Sequence, residues 1–174
     1  GVFVTSHVPT IHPVMAAKQA ATVDHISDGR VEMGIGAGWY EHEWRAHGYG
    51  FPSAGERLGM LDEGVRIMRE AWAQGVVSLE GEHYRVDGAI VQPQPLQPGC
   101  IPVWVAGGGE RKTLRIAARY ADYTNFDGTP DGFAHKAEVL RGHCADLGRD
   151  PAEITMTANY NVAIGETEKE VADR

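Results

Sequence analysis

Three consecutive glycines, Gly107-Gly108-Gly109, sit inside the stretch PVWVAGGGERKTLRIAARYADYTNF, between an apolar run that reads as a buried strand and a segment that reads as a helix. Lacking Cβ atoms, such a run lets backbone approach a ligand closely. Free N–H groups at the start of the following helix, with its dipole behind them, suit a phosphate. Arg111 and Lys112 add positive charge beside it. The spacing fails the nucleotide-hydrolase P-loop, which needs Gly-Lys-Ser/Thr after four intervening residues, so a cofactor monophosphate fits better. A tight turn alone does not need three glycines in a row.

A second glycine cluster, EMGIGAGW from Glu32 to Trp39, has the acidic-x-Gly-x-Gly-x-Gly pattern of the S-adenosylmethionine loop. A methyltransferase using Glu32 to Gly38 is therefore an alternative reading. Its context is poor: a second strand ending in an acid is needed roughly 20 residues on, and the window EWRAHGYGFPSAGERLG is polar and broken. The GxGxxG dinucleotide fingerprint also fails, because Trp39 takes the place of its last glycine when Gly34 and Gly36 are the first two. His42-Glu43 and His47 resemble a zinc-protease helix, but histidines five apart stand about 140° apart around a helix, so no metal site is expected. Solvated positions are expected for His25, His83, His135 and His143. Core positions are expected for Trp44, Trp72 and Trp104, while Trp39, directly after Gly38, could line a pocket.

These residues need elements to position them. The segment HPVMAAKQAATVDHISDGR reads as a helix with Pro13 early and Asp28-Gly29 at its end. In GERLGMLDEGVRIMREAWAQG, Leu58, Leu61, Val65, Met68 and Trp72 recur at steps of three or four and give one apolar face. VVSLEGEHYRVDGAIV reads as a hairpin, and the prolines of QPQPLQPGC forbid regular structure, so residues 76–100 read as an inserted excursion. A helix capped by Thr129 with Pro130 at its first position runs to Gly148, and a last apolar strand ends near Ile164. Strand and helix alternate about five times, which argues for a parallel sheet covered by helices, either open and doubly wound or part of an eight-stranded barrel. In both, ligands gather at the C-terminal ends of the strands. Thr5-Ser6-His7, GAGWYEHE, AGGGERKT and TNFDGT all fall there. Any one of these loops is explained equally well by turn chemistry; four together point to a site.

The 174 residues carry 24 acidic against 16 basic side chains, a formal charge of −8 that repels nucleic acid and anionic membrane surfaces. No apolar run approaches a membrane span. Cys100 and Cys144 form no CxxC spacing, and a reducing cytoplasm is the expected compartment. The chain opens on Gly1 in what reads as a strand and closes on GETEKEVADR, which reads as a helix cut short, so a fragment is expected.

Taken in order, HPVMAAKQAATVDHISDGRVEMGIGAGWYEHEWRAHGYGFP, GERLGMLDEGVRIMREAW, LEGEHYRV and IPVWVAGGGERKTLRIAARYAD resemble the bacterial luciferase-like monooxygenase superfamily, and within it the oxidoreductases that use the deazaflavin coenzyme F420. The resemblance implies part of a (β/α)8 TIM barrel across residues 1–174, lacking the first strands and the C-terminal end, in a family of roughly twice this length. It implies F420 or FMN as cofactor, a small organic substrate and a homodimer. It places a non-prolyl cis peptide at Phe3-Val4 behind the ring, Gly36, Ala37, Gly38, Trp39 and His42 against the ring and its ribityl chain, and Ala106, Gly107, Gly108 and Gly109 on the phosphate. The family's Asp-His pair belongs to a strand upstream of Gly1, so no catalytic residue is assigned and the piece alone is expected to be inactive. A cofactor-binding module without chemistry is the remaining alternative.

Overall fold

The computed structural model describes Ser6, His7, residues 11–160 and residues 163–172. The cis peptide expected at Phe3-Val4 lies outside these residues. The helices begin and end where local chemistry directs. α1 (Pro13–Ser27) opens with the His12 ring accepting from the Val14 N–H and closes with Asp28 and Gly29 in the left-handed region, at φ 58° and 71°. α3 (Ala54–Gln74) starts on a reciprocal Ser53/Glu56 capping box, and α5 (Pro130–Leu147) starts on the Thr129 hydroxyl. Between them lie α2 (Glu41–Ala46) and the short α4 (Thr113–Tyr120); α6 (Glu168–Ala172) follows at the end.

Five strands form one parallel sheet: β1 (Ser6–His7), β2 (Met33–Gly36), β5 (Val103–Ala106), β6 (Tyr123–Asp127) and β7 (Thr155–Asn159). β3 (Val76–Glu80) and β4 (Arg85–Ile90) form a separate antiparallel hairpin. The order of the five follows the chain without reversal. α1, α3, α4 and α5 pack on one another in the same sequence. One sheet face is buried beneath them through Met33, Ile35, Val103, Val105, Thr124 and Phe126, whereas the alternate residues Gly34, Trp104, Tyr123 and Asn125 are only partly covered. A doubly wound sheet reverses its order at a switch point and carries helices on both faces, so this is instead an arc of a barrel. The methyltransferase alternative at Glu32–Gly38 fails with it; the Glu32 carboxylate accepts the Trp104 indole N–H at 2.8 Å.

Helix–helix packing supplies the core. Ala16, Ala17, Ala20 and Ala21 let α1 approach α3 closely, and the Trp72 indole donates to the Ala17 carbonyl at 2.9 Å. Leu61, Val65, Ile67, Met68, Leu114 and Leu140 are wholly buried, each contributing about 1.5–3 kcal/mol. The polar stretch after β2 holds no strand, as expected, and forms the short helix α2 around buried Trp44. Two sequence expectations are corrected. The last strand stops at Asn159 and not near Ile164. Trp104 is only partly buried, stacked on Tyr123 with ring centroids 4.4 Å apart, because none of the described helices packs over its face of the sheet.

The Pro-rich connection after β4 is tied down by one buried anion. Asp24 of α1 accepts from the Leu96 and Gln97 N–H groups, the Gln97 amide and the Val31 N–H. Burial pushes its pKa up, but these four hydrogen bonds outweigh burial and hold it below the usual aspartate value.

Candidate functional site

The strands' C-terminal ends bring the glycine loops together. His7 lies in register with Gly36, and Ala106 with Asn125; a Cβ placed on Gly36 would meet Ala106 at 4.0 Å. The row Gly36–Ala106–Asn125 thus has a floor of small residues ending in a polar one. From it rises the β5–α4 loop. Gly107 sits at φ +113°, where side chains are strained, and donates its N–H to the Asn125 carbonyl at 3.0 Å. A Cβ on Gly109 would stand 2.7 Å from the Thr113 hydroxyl. Among the described residues, the N–H groups of Gly108, Gly109, Glu110 and Arg111 donate to no backbone carbonyl. Donors left free at the start of α4 fit an anion. Arg111 and Lys112 are exposed beside them.

The loop is strapped to α5. The Glu110 carboxylate accepts from Lys136 Nζ at 2.7 Å and contacts His135 Nε2 at 3.2 Å, while the Glu110 carbonyl meets His143 Nε2 at 2.7 Å. Lys136, then His135, holds the Glu110 pKa below the usual carboxylate range. A trans peptide points its C=O and the next N–H in opposite directions, so fixing the Glu110 carbonyl on α5 turns the Arg111 N–H away from that helix.

Other residues implicated by the sequence fall less tightly. Gly38 has φ +71°, Ala37 packs against the core, and Trp39 is 85% exposed. Trp39, Tyr40 and His42 form an exposed string with ring centroids 5.4 and 5.9 Å apart. Glu110, Lys136 and His143 were not singled out for the site by sequence, and His143 is partly buried instead of fully solvated. The local signal was the acid directly after the glycines; its partners lie a helix away and leave no periodic trace.

Among the described residues no group of three or more His, Cys, Asp or Glu could hold a metal, and no helix is long and apolar enough to cross a membrane. A cleft of about 340 Å³ lies at the opposite ends of the strands, lined by Arg69, Cys100, Asp122, Tyr123 and Thr155. The glycine loops do not reach it.

The family model for luciferase-like monooxygenases matches residues 1–174, and the chain belongs to that family. It is 31% identical over 96% of its length to the pyrimidine monooxygenase RutA of Stutzerimonas stutzeri, covering 46% of that protein. It is 30% identical over 91% of its length to an FMNH(2)-dependent dimethylsulfone monooxygenase of Pseudomonas putida, covering 43% of it. The coenzyme F420-dependent tetrahydromethanopterin reductase of Methanopyrus kandleri shares the fold, with a TM-score of 0.79 at 24% identity over 92% of this chain and 49% of that one. The chain thus spans about half the length of the relatives it matches.

Proposed function

We propose that the chain forms the phosphate-binding half of an oxidoreductase that uses FMN or coenzyme F420 on a small organic substrate. The observation that carries this reading is the β5–α4 loop, where N–H groups with no backbone acceptor and a glycine whose Cβ would crowd Thr113 are followed directly by two exposed cations. The relatives supply the cofactor classes: one is named for FMNH(2), another for F420.

When bound, a ring of either type supplies two-electron redox chemistry, and the protein's part is to bind and orient it. Gly107 to Gly109 and the following N–H groups hold the phosphate, with Arg111 and Lys112 balancing its charge. Gly36 and Ala106, having little or no side chain, leave room above the sheet for the chain that joins phosphate to ring. Gly38, Trp39 and His42, which follow β2, would contact the ring, and the exposed Trp39 face would exclude water once covered.

Titrating the complete gene product with FMN and with F420, each followed by its fluorescence, tests the reading. Saturable binding of one or both is expected. Binding of neither overturns it.

A further inference from the structure

We infer that Arg57 is a positioning residue for the flank of the site that follows β2: its guanidinium, laid against the rings of Phe51 and Trp44, sets the angle at which α2 carries Trp39, Tyr40 and His42. The placing of those three residues beside a cofactor ring rests on the function proposed above; the seating of α2 by Arg57 does not.

α2 is a small unit that buries a single side chain. Trp44 is 1% exposed, whereas Glu41, His42, Glu43, Arg45 and Ala46 are exposed. Its C-terminal end is closed locally: the Tyr49 N–H donates to the Trp44 carbonyl and the Gly48 N–H to the Arg45 carbonyl, both at 3.0 Å, with Gly48 at φ +81°. Gly38 at φ +71° and Gly50 at φ +67° bound the unit on either side. Trp44 meets Phe51, beyond Gly50, edge to face, with centroids 5.8 Å apart and planes at 85°. Turning that seat turns the helix, and with it the string of Trp39, Tyr40 and His42 whose ring contacts run into its first turn.

Arg57 holds the seat. It stands in the first turn of α3, its N–H donating to the Ser53 carbonyl at 3.0 Å, and its Cζ lies 3.9 Å from the Phe51 centroid and 5.7 Å from that of Trp44. Nε and Nη1 are buried and have no hydrogen-bond partner among the described residues. Acids close by in the chain are engaged elsewhere: Glu56 accepts from the Ser53 N–H at 2.8 Å, and Glu41 pairs with Arg45 at 2.7 Å. Burying the donor nitrogens of a cation without acceptors is costly, and a methionine of similar reach would fill the same space without that cost. The charge is therefore tied to the rings, whose faces attract a planar, weakly hydrated cation. Such a contact fixes an angle as well as a distance.

The test uses the complete gene product labelled with 5-fluorotryptophan, the Trp39 resonance being assigned by its loss in Trp39→Phe. Position 51 is filled in turn with phenylalanine and its mono-, di- and trifluoro forms, which drain the ring face of negative potential while nearly keeping its shape. Each added fluorine should move the Trp39 resonance further and weaken FMN or F420 binding stepwise, by about tenfold in all. In Arg57→Met, binding should be weaker by a similar factor from the start, and fluorination should change nothing more. A Trp39 resonance that ignores fluorination overturns the inference. Fluorination effects of equal size in wild type and Arg57→Met mark ring packing alone and overturn it too. A resonance that moves while the affinity of a bound cofactor stays constant separates α2 from the cofactor and overturns the positioning role. Failure of both cofactors to bind the wild type overturns the proposed function, and the Trp39 resonance then decides the seating of α2 by itself.

Discussion

The Thr113 hydroxyl occupies the place a Cβ on Gly109 would need, 2.7 Å from its ideal position. Thr113 is buried at the first position of α4, and its Cβ as well as its hydroxyl crowds that place, at 3.4 Å, so turning the side chain does not clear it. Gly109→Ala should therefore displace the loop, reduce cofactor affinity at least tenfold and cost about 1–2 kcal/mol of stability. Adding Thr113→Ala should recover part of the affinity. Fluorescence titration of the single and double variants checks both.

Asp24 makes stability depend on acid. Its folded pKa lies below its unfolded one, so its contribution is present above the ordinary aspartate value of about 3.9 and is lost as pH falls through the lowered folded value. Asp24→Ala strips the Leu96, Gln97 and Val31 N–H groups of their acceptor and should cost about 3 kcal/mol at neutral pH. Thermal unfolding of both forms should converge as the solution is acidified.

Glu110→Gln keeps the shape of the strap but removes the charge that holds Lys136. Cofactor affinity should fall severalfold while the melting temperature moves little, since this pair is largely solvated. In the wild type, Glu110 protonates only below the usual carboxylate range, so the Glu110–Lys136 strap should hold from neutral pH down to about pH 4. Titrations across that interval check the sign.

Glu63 on α3 accepts from three successive N–H groups at the tip of the β3–β4 hairpin, those of Glu82, His83 and Tyr84. Glu63→Ala should release the tip, seen as faster hydrogen exchange at those three amides, and cost about 2–3 kcal/mol. Tyr84 is pushed up to about 12, first by burial and then by the Glu63 charge. In Glu63→Gln it should come down yet stay above the ordinary tyrosine value of about 10, because burial persists. An NMR titration of the Tyr84 ring reads this.

What the sequence revealed and what it hid divide along physical lines. Caps and periodicity are local, so Asp28-Gly29, Thr129-Pro130 and the stripe from Leu58 to Trp72 marked their helices well. The barrel-type order was reached through resemblance, because alternating strands and helices alone fit two sheet topologies; pairing of β2 with β5 across the hairpin decides between them. α2 was missed because its six residues are too few for a periodic signal and rest on one buried tryptophan, Trp44. At the site, both glycine clusters were legible as types of residue. Glu110, Lys136 and His143 were not, since each depends on contacts between elements far apart along the chain.

The sheet whose strands follow chain order also sets how the molecule assembles. β1 with β2, β5 with β6 and β6 with β7 close over one intervening α-helix each, the last with a further 3-10 turn at Pro151–Glu153, and such near-neighbour contacts form fast. The β2–β5 seam must instead wait for α2, α3, the hairpin and the Pro-rich connection to fall into place. Its closure carries the largest loop entropy in the sheet. Asp24 and Gln97 stitch the far end of that detour to α1, and the seam itself sets Gly36 beside Ala106. The contact that sets Gly36 beside Ala106 at the candidate site is therefore expected to be the slow step in building the sheet.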